Sequence, residues 1–167
     1  MLKDPITRDE LFTELMRVKN KGWMPFFEQA STKYNIALWI LLAMASRETN
    51  CQNIVGDHGH GRGIMQIDDR SHFTWLKLHQ NGMDVASSID YAASILRDNL
   101  DHYHGALDRS IAAYNTGQKN VNVSLSLNRS VDTTTANGNY SEDVLYRANI
   151  IKQMLQEGNY GQVIETT

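Results

Sequence analysis

The feature that most constrains this chain is the apolar run from Ile36 to Ala45, which stops abruptly at Ser46-Arg47-Glu48. It is too short to cross a bilayer, for which about 20 apolar residues are needed. Apolar nearly all round, it predicts a third helix buried at the centre of a core, running from Ile36 to about Thr49 with Asn35 as its cap. With 167 residues and 41% hydrophobic content, the chain can fill one core without disulfide or metal support, so a single domain over 1–167 is expected. The charged stop puts Glu48 at the end of that helix, with Leu41, Met44 and Ala45 on or near its face.

The segments around this helix are also mostly helical in pattern. Thr7-Arg8-Asp9-Glu10 is a capping box, and Leu11, Leu15, Met16 and Val18 follow at helical spacing, so a first helix is expected to about Lys19, broken by Gly22 and Pro25. A short helix follows from Pro25 to about Tyr34. Further helices are expected over Phe73 to Leu78, Val85 to Tyr103 after the Asp84 cap, Leu107 to Asn115 before Gly117, and Ser141 to Gln156 before Gly158. Glycines at 56, 59, 61 and 63 precede Ile64-Met65-Gln66-Ile67-Asp68, which alternates in part like a strand; a small β-hairpin is expected there. The Thr-, Asn-, Ser- and Gly-rich stretch Asn128 to Asn139 reads as a loop.

Composition and charge narrow the possible functions. A formal net charge of -3 speaks against nucleic-acid binding, which draws on clustered Lys and Arg. A single cysteine, Cys51, allows no intrachain disulfide and reads as a small buried thiol. Asp4, Pro5, Asp9 and Glu10 stand where a secretory signal needs a basic start and an apolar core, so no signal peptide is expected in this chain and no membrane insertion.

Three carboxylates stand out chemically. Glu48, partly desolvated at the end of an apolar helix, is a candidate general acid, because burial disfavours its charged form and raises its pKa. The competing reading is a helix-end Glu paired with Arg47 or a Lys. Asp57 and Asp68 bracket the glycine-rich segment, and a hairpin would return both toward Glu48. A protonated acid plus a water-holding carboxylate is what inverting glycoside hydrolysis requires. Asp57 also reads as an ordinary turn residue, and Asp68 as a strand-end cap. His58, His60, His102 and His104 form two H-x-H pairs, but there is no H-E-x-x-H and no second thiol, so no metal site is expected. Tyr114, Asn115 and Tyr140 near helix ends combine ring faces with polar groups, the mix that binds sugars.

In order along the chain, Ala45-Ser46-Arg47-Glu48, then Gly56-Asp57 through Gly63-Ile64-Met65-Gln66-Ile67-Asp68, then Arg70-Ser71-His72, then Ala112-Ala113-Tyr114-Asn115-Thr116-Gly117 resemble goose-type lysozymes and the related soluble lytic transglycosylases. The likeness covers about residues 35–155, with helices at 1–34 preceding it. It implies a mainly α, lysozyme-like α+β fold with a small β-element lining the cleft, and no cofactor. By position, Glu48 matches the catalytic acid, and Asp57 and Asp68 match the two aspartates that hold the attacking water in goose-type lysozymes, a pair that the transglycosylases generally lack. Gln66, Ile67, His72, Tyr114, Asn115 and Tyr140 match positions lining the sugar cleft, and Arg47 fits a structural partner.

The resemblance therefore implies an inverting muramidase, cutting between N-acetylmuramic acid and N-acetylglucosamine in peptidoglycan; nothing in the sequence demands more than a monomer. A lytic transglycosylase forming anhydro products and a non-enzymatic glycan-binding module are the alternatives. The protein is expected at the bacterial wall, reached by secretion, residence in the periplasm, or lysis. The segment between Glu48 and Asp57 is shorter than in animal goose-type proteins, which makes the reach of Asp57 a question for the structure. The missing cysteine pairs suit a bacterial or phage source.

Overall fold

A computed structural model describes residue 2 and residues 4–158. The first helix, α1 (Arg8–Asn20), begins at the capping box: the Thr7 hydroxyl accepts from the Glu10 N–H, and the Glu10 carboxylate accepts from the Thr7 N–H at 2.8 Å. Leu11, Leu15 and Val18 are buried. In α2 (Met24–Tyr34), Pro25 sits in the first turn, where its missing N–H costs no helical bond.

Asn35 corrects the sequence expectation. It does not start the central helix but closes α2, in the left-handed region at φ 49°, and its N–H donates to the Thr32 carbonyl. Asparagine favours both positions, and the reversal of the chain between the two helices demands the left-handed one. The central helix, α3 (Leu38–Thr49), starts two residues later than expected, after Ala37.

Helix α3 is the axis of the core. Ile40 through Ser46 are all buried, and burying a side chain such as Leu41 is worth about 1.5–3 kcal/mol. Its principal partner is α8 (Tyr140–Gln156), whose Val144, Ala148, Ile151 and Met154 form one buried stripe. Around this pair lie α5 (Val85–His102), started by the Asp84 side chain accepting the Ser87 N–H, and α6 (Leu107–Thr116). Helix α7 (Gln118–Ser126) has no counterpart in the sequence expectations. Its Val121 packs in a small second cluster with Tyr103, Ala112 and Ala113.

The glycine-rich segment forms a three-stranded antiparallel sheet in the order β1 (Val55–Gly56), β2 (Gly61–Arg62), β3 (Ile67–Asp68). Gly56 pairs with Gly61, and Gly61 with Asp68. A Cβ at Gly56 or Gly61 would come within 2.3 or 2.2 Å of the Gln66 side-chain oxygen, so the Gln66 amide lies across the sheet only because both residues are glycine. Of the expected strand Ile64 to Asp68, only the last two residues are extended. Ile64 and Met65 turn into the core, and Gln66 is left-handed at φ 49°.

Helix α4 (Asp69–Leu78) begins four residues earlier than expected, because Asp68 caps it by accepting the Arg70 N–H at 2.8 Å; the helix is kinked at His72. The expected loop from 128 to 139 carries two short 3-10 turns, Val131–Thr134 and Ala136–Gly138, organised on buried Asp132. Its carboxylate accepts from the Ser141 and Glu142 N–H groups, and so caps α8 from outside that helix. Among the described residues no helix is long and apolar enough to cross a membrane.

Candidate active site

A cleft of about 400 Å³ opens between the end of α3, the sheet, the kinked start of α4 and the end of α6. Glu48, Asp57, Asp68, Gln66, Ile67, His72, Tyr114 and Asn115 all border it. The ninth expected residue, Tyr140, is 1% exposed and stands behind the wall, where its hydroxyl donates to Glu48 Oε1.

Glu48 is half-buried at the mouth of the core. Burial pushes its pKa up to about 7, against the opposing pull of the Tyr140 hydroxyl and the Arg47 charge. Arg47 does not pair with it: its Nε lies 2.8 Å from Asp143 Oδ2, in an ion pair whose N–H is not aligned on the oxygen, and its guanidinium is 5.4 Å from the centre of the Tyr140 ring. The helix-end pairing weighed from the sequence is therefore not formed. Burial, with Glu48 nearby, raises the phenols of Tyr114 and Tyr140 well above their ordinary value, so both are neutral donors at pH 7.

The connection after Glu48 brings Asp57 to the cleft. Asp57 and His58 sit in left-handed conformations, φ 45° and 52°, on a single turn between β1 and β2. The Asp57 carboxylate is met by Arg70, whose Nη2 lies 2.6 Å from Asp57 Oδ2 and 2.7 Å from Asp68 Oδ2. Arg70 Nε also reaches both oxygens of Asp68, at 3.0 and 3.1 Å. These bonds hold the Asp68 carboxyl below the usual carboxylate range.

The polar side chains of the remaining wall are hydrogen-bonded within the protein. Tyr114 donates to the Met65 carbonyl at 2.8 Å, tying α6 to the turn before β3. Asn115 Oδ1 accepts from the Ala136 N–H at 2.8 Å, which ties the end of α6 to the loop before α8. His72 Nδ1 lies 2.9 Å from the Tyr91 hydroxyl, and burial lowers its pKa, leaving it neutral at pH 7. Gln66 Nε2 donates to the Ile54 and Gly63 carbonyls, so its amide braces the sheet. Ile67 is 2% exposed and packs in the core, so it borders the cleft from the inner side.

Residues with no assigned role in the sequence also line the cleft, chiefly Arg70, Ile95 and Ala136. Arg70 belongs to the Arg70-Ser71-His72 run, but its partner Asp57 is thirteen residues away. His60 is bonded to Asp69 at 2.8 Å, which also pairs with Arg62. Among the described residues no three His, Cys, Asp or Glu side chains converge as metal ligands would. Cys51 is fully buried, and burial pushes its thiol up.

An acid at the end of a buried helix, facing a glycine-rich three-stranded sheet across a cleft, defines a lysozyme-like enzyme. Residues 25–137 match the family described as Transglycosylase SLT domain. The protein named Lysozyme g of Takifugu rubripes is 30% identical over 146 residues, covering 77% of this chain and 73% of that protein. The chain belongs to this family, in the glycosidase and transglycosylase class that acts on peptidoglycan. Tyr140 and the rest of α8 lie beyond the matched residues.

Proposed function

We propose that this chain is an inverting muramidase. Its single catalytic domain, working as a monomer, hydrolyses the β-1,4 bond between N-acetylmuramic acid and N-acetylglucosamine. Glu48 gives its proton to the bridging oxygen, the bond from that oxygen to the muramic anomeric carbon breaks, and the N-acetylglucosamine 4-hydroxyl leaves. Water held by Asp57 and Asp68 adds to the anomeric carbon from the opposite face, and its proton passes to that pair.

The observation that carries this reading is that a carboxyl with pKa near 7 shares one cleft with two Arg70-bound aspartates. At pH 7 about half of the Glu48 side chains hold the proton that an acid catalyst needs. The neutral His72, the Asn115 amide and the Tyr114 ring offer donors and an apolar face to the sugars, with Gln66 and Ile67 forming the floor. The protein meets its substrate at the wall, reached by secretion, from the periplasm or on lysis.

The second reading is a lytic transglycosylase, in which Glu48 acts as acid and then base, and the muramic 6-hydroxyl replaces water. One observation favours it: Arg70 occupies oxygens of both aspartates, which weakens them as bases, and Asp68 already serves as the cap of α4. Clearing of purified wall suspensions by wild type and by Glu48→Gln tests the acid common to both readings. The expected outcome is loss of nearly all clearing with the fold kept; clearing at the wild-type rate by a folded Glu48→Gln protein refutes it.

A further inference from the structure

Asp57 is poorly placed to work unaided. Its side chain is 53% exposed, it rides a left-handed turn flanked by glycines and closed by the His60 N–H donating to the Asp57 carbonyl, and among the described residues the sole hydrogen-bond partner of its carboxylate is Arg70. Asp68 ends β3 and caps α4, and its carboxylate also has Arg70 as its only side-chain partner among the described residues. Two carboxylates brought to one spot repel, and an exposed aspartate on a turn is free to rotate into water.

We propose that Arg70 is a positioning residue, whose guanidinium holds Asp57 and Asp68 together as the pair that orients the attacking water. This rests on the hydrolytic reading above. One nitrogen, Nη2, touches Oδ2 of both aspartates, so their separation is set by a single planar group. Nε fastens that group to Asp68, and the Arg70 main-chain N–H fastens Asp68 to α4, so the clamp is anchored to a helix and Asp57 is the member being caught. The grip on Asp57 uses only Oδ2, which leaves Oδ1 open to accept a hydrogen bond from water. Lysine in this place would offer a single mobile ammonium, unable to bond both oxygens of Asp68 while reaching Asp57.

The test is a mutant cycle on purified, solubilised glycan strands, with kcat and KM measured for wild type, Arg70→Gln, Arg70→Lys, Asp57→Asn/Asp68→Asn, and that double variant carrying Arg70→Gln. Arg70→Gln is expected to lower kcat by about tenfold to a hundredfold with KM little changed, since a misplaced reactant affects the chemical step. Arg70→Lys is expected to fall between it and wild type. Added to the double aspartate variant, Arg70→Gln is expected to change kcat by less than about twofold, because a residue acting through others loses its effect once they are gone. Wild-type kcat in Arg70→Gln overturns the proposal, as does a full further loss in the double-variant background, which marks a general structural role. If Arg70→Gln does not fold, the same cycle is run with Arg70→Lys and read by the same criterion. If the double aspartate variant keeps the wild-type rate, the water-holding reading fails first and takes this inference with it. If that variant is impaired while Arg70→Gln is not, the reading stands and the inference alone fails.

Discussion

Replacing Glu48 by Gln, expected to abolish activity, should also make the protein more stable above neutral pH. The folded state holds the Glu48 proton to about pH 7, whereas the unfolded chain releases it near 4.5. Between those values the folded state binds more protons than the unfolded one, so this group's contribution to stability falls as pH rises from about 4.5 and levels off above about 7. The gap of roughly 2.5 pKa units corresponds to about 3 kcal/mol at pH 8, taken as an upper value because the side chain keeps some contact with water. Gln keeps the shape and an oxygen for the Tyr140 hydroxyl but never has to charge. For a domain of this size, about 3 kcal/mol corresponds to roughly 6–12 °C in Tm. Thermal unfolding of wild type and Glu48→Gln, followed by circular dichroism at pH 4 and pH 8, checks the sign and the size together. The variant should match wild type at pH 4 and melt well above it at pH 8. Equal melting temperatures at both pH values would refute the claim that burial, and not a stabilising partner, sets the Glu48 pKa.

Two further outcomes follow from the same geometry. The Tyr140 hydroxyl stabilises the Glu48 carboxylate, so Tyr140→Phe should raise the pKa of the acid and move the alkaline limb of the kcat/KM profile upward by about one pH unit; an unmoved limb in an active variant counts against that bond. Asp132→Ala removes the acceptor for two N–H groups of α8 and for the Ser141 and Thr135 hydroxyls, and should cost about 3 kcal/mol, measured as a shifted urea midpoint; a loss under about 1 kcal/mol would mean the loop is not organised by that carboxylate.

What was legible in the sequence divides along the distance between interacting residues. The Thr7–Glu10 box and the Asp84 cap are local, and the structure bears out both. Asn35 departs from its expected place because one residue type serves two opposite ends of a helix, and only the path of the chain chooses between them. Helix α7 was hidden because Val121, Val123 and Leu125 recur at every second position, a strand-like spacing; in the helix Val121 is buried while Val123 is 49% exposed. The Asp132 cap joins residues nine and ten apart across irregular chain, and the Tyr140–Glu48 bond spans ninety-two, so neither leaves a periodic trace. The burial of the Glu48 helix could be read from its apolar face. The glycine-rich hairpin pattern points Asp57 and Asp68 toward Glu48, the places of Gln66, Ile67 and His72 rest on resemblance, and spacing alone offers no signal that Arg70 joins Asp57 to Asp68.

Mass spectrometry of the soluble products from purified peptidoglycan, with Glu48→Gln as the blank, tests hydrolysis most directly. Muropeptides ending in reducing N-acetylmuramic acid are the predicted result, with water delivered at the Asp57–Asp68 pair. Products lighter by one water, ending in anhydromuramic acid, would contradict it and leave both aspartates with structural roles.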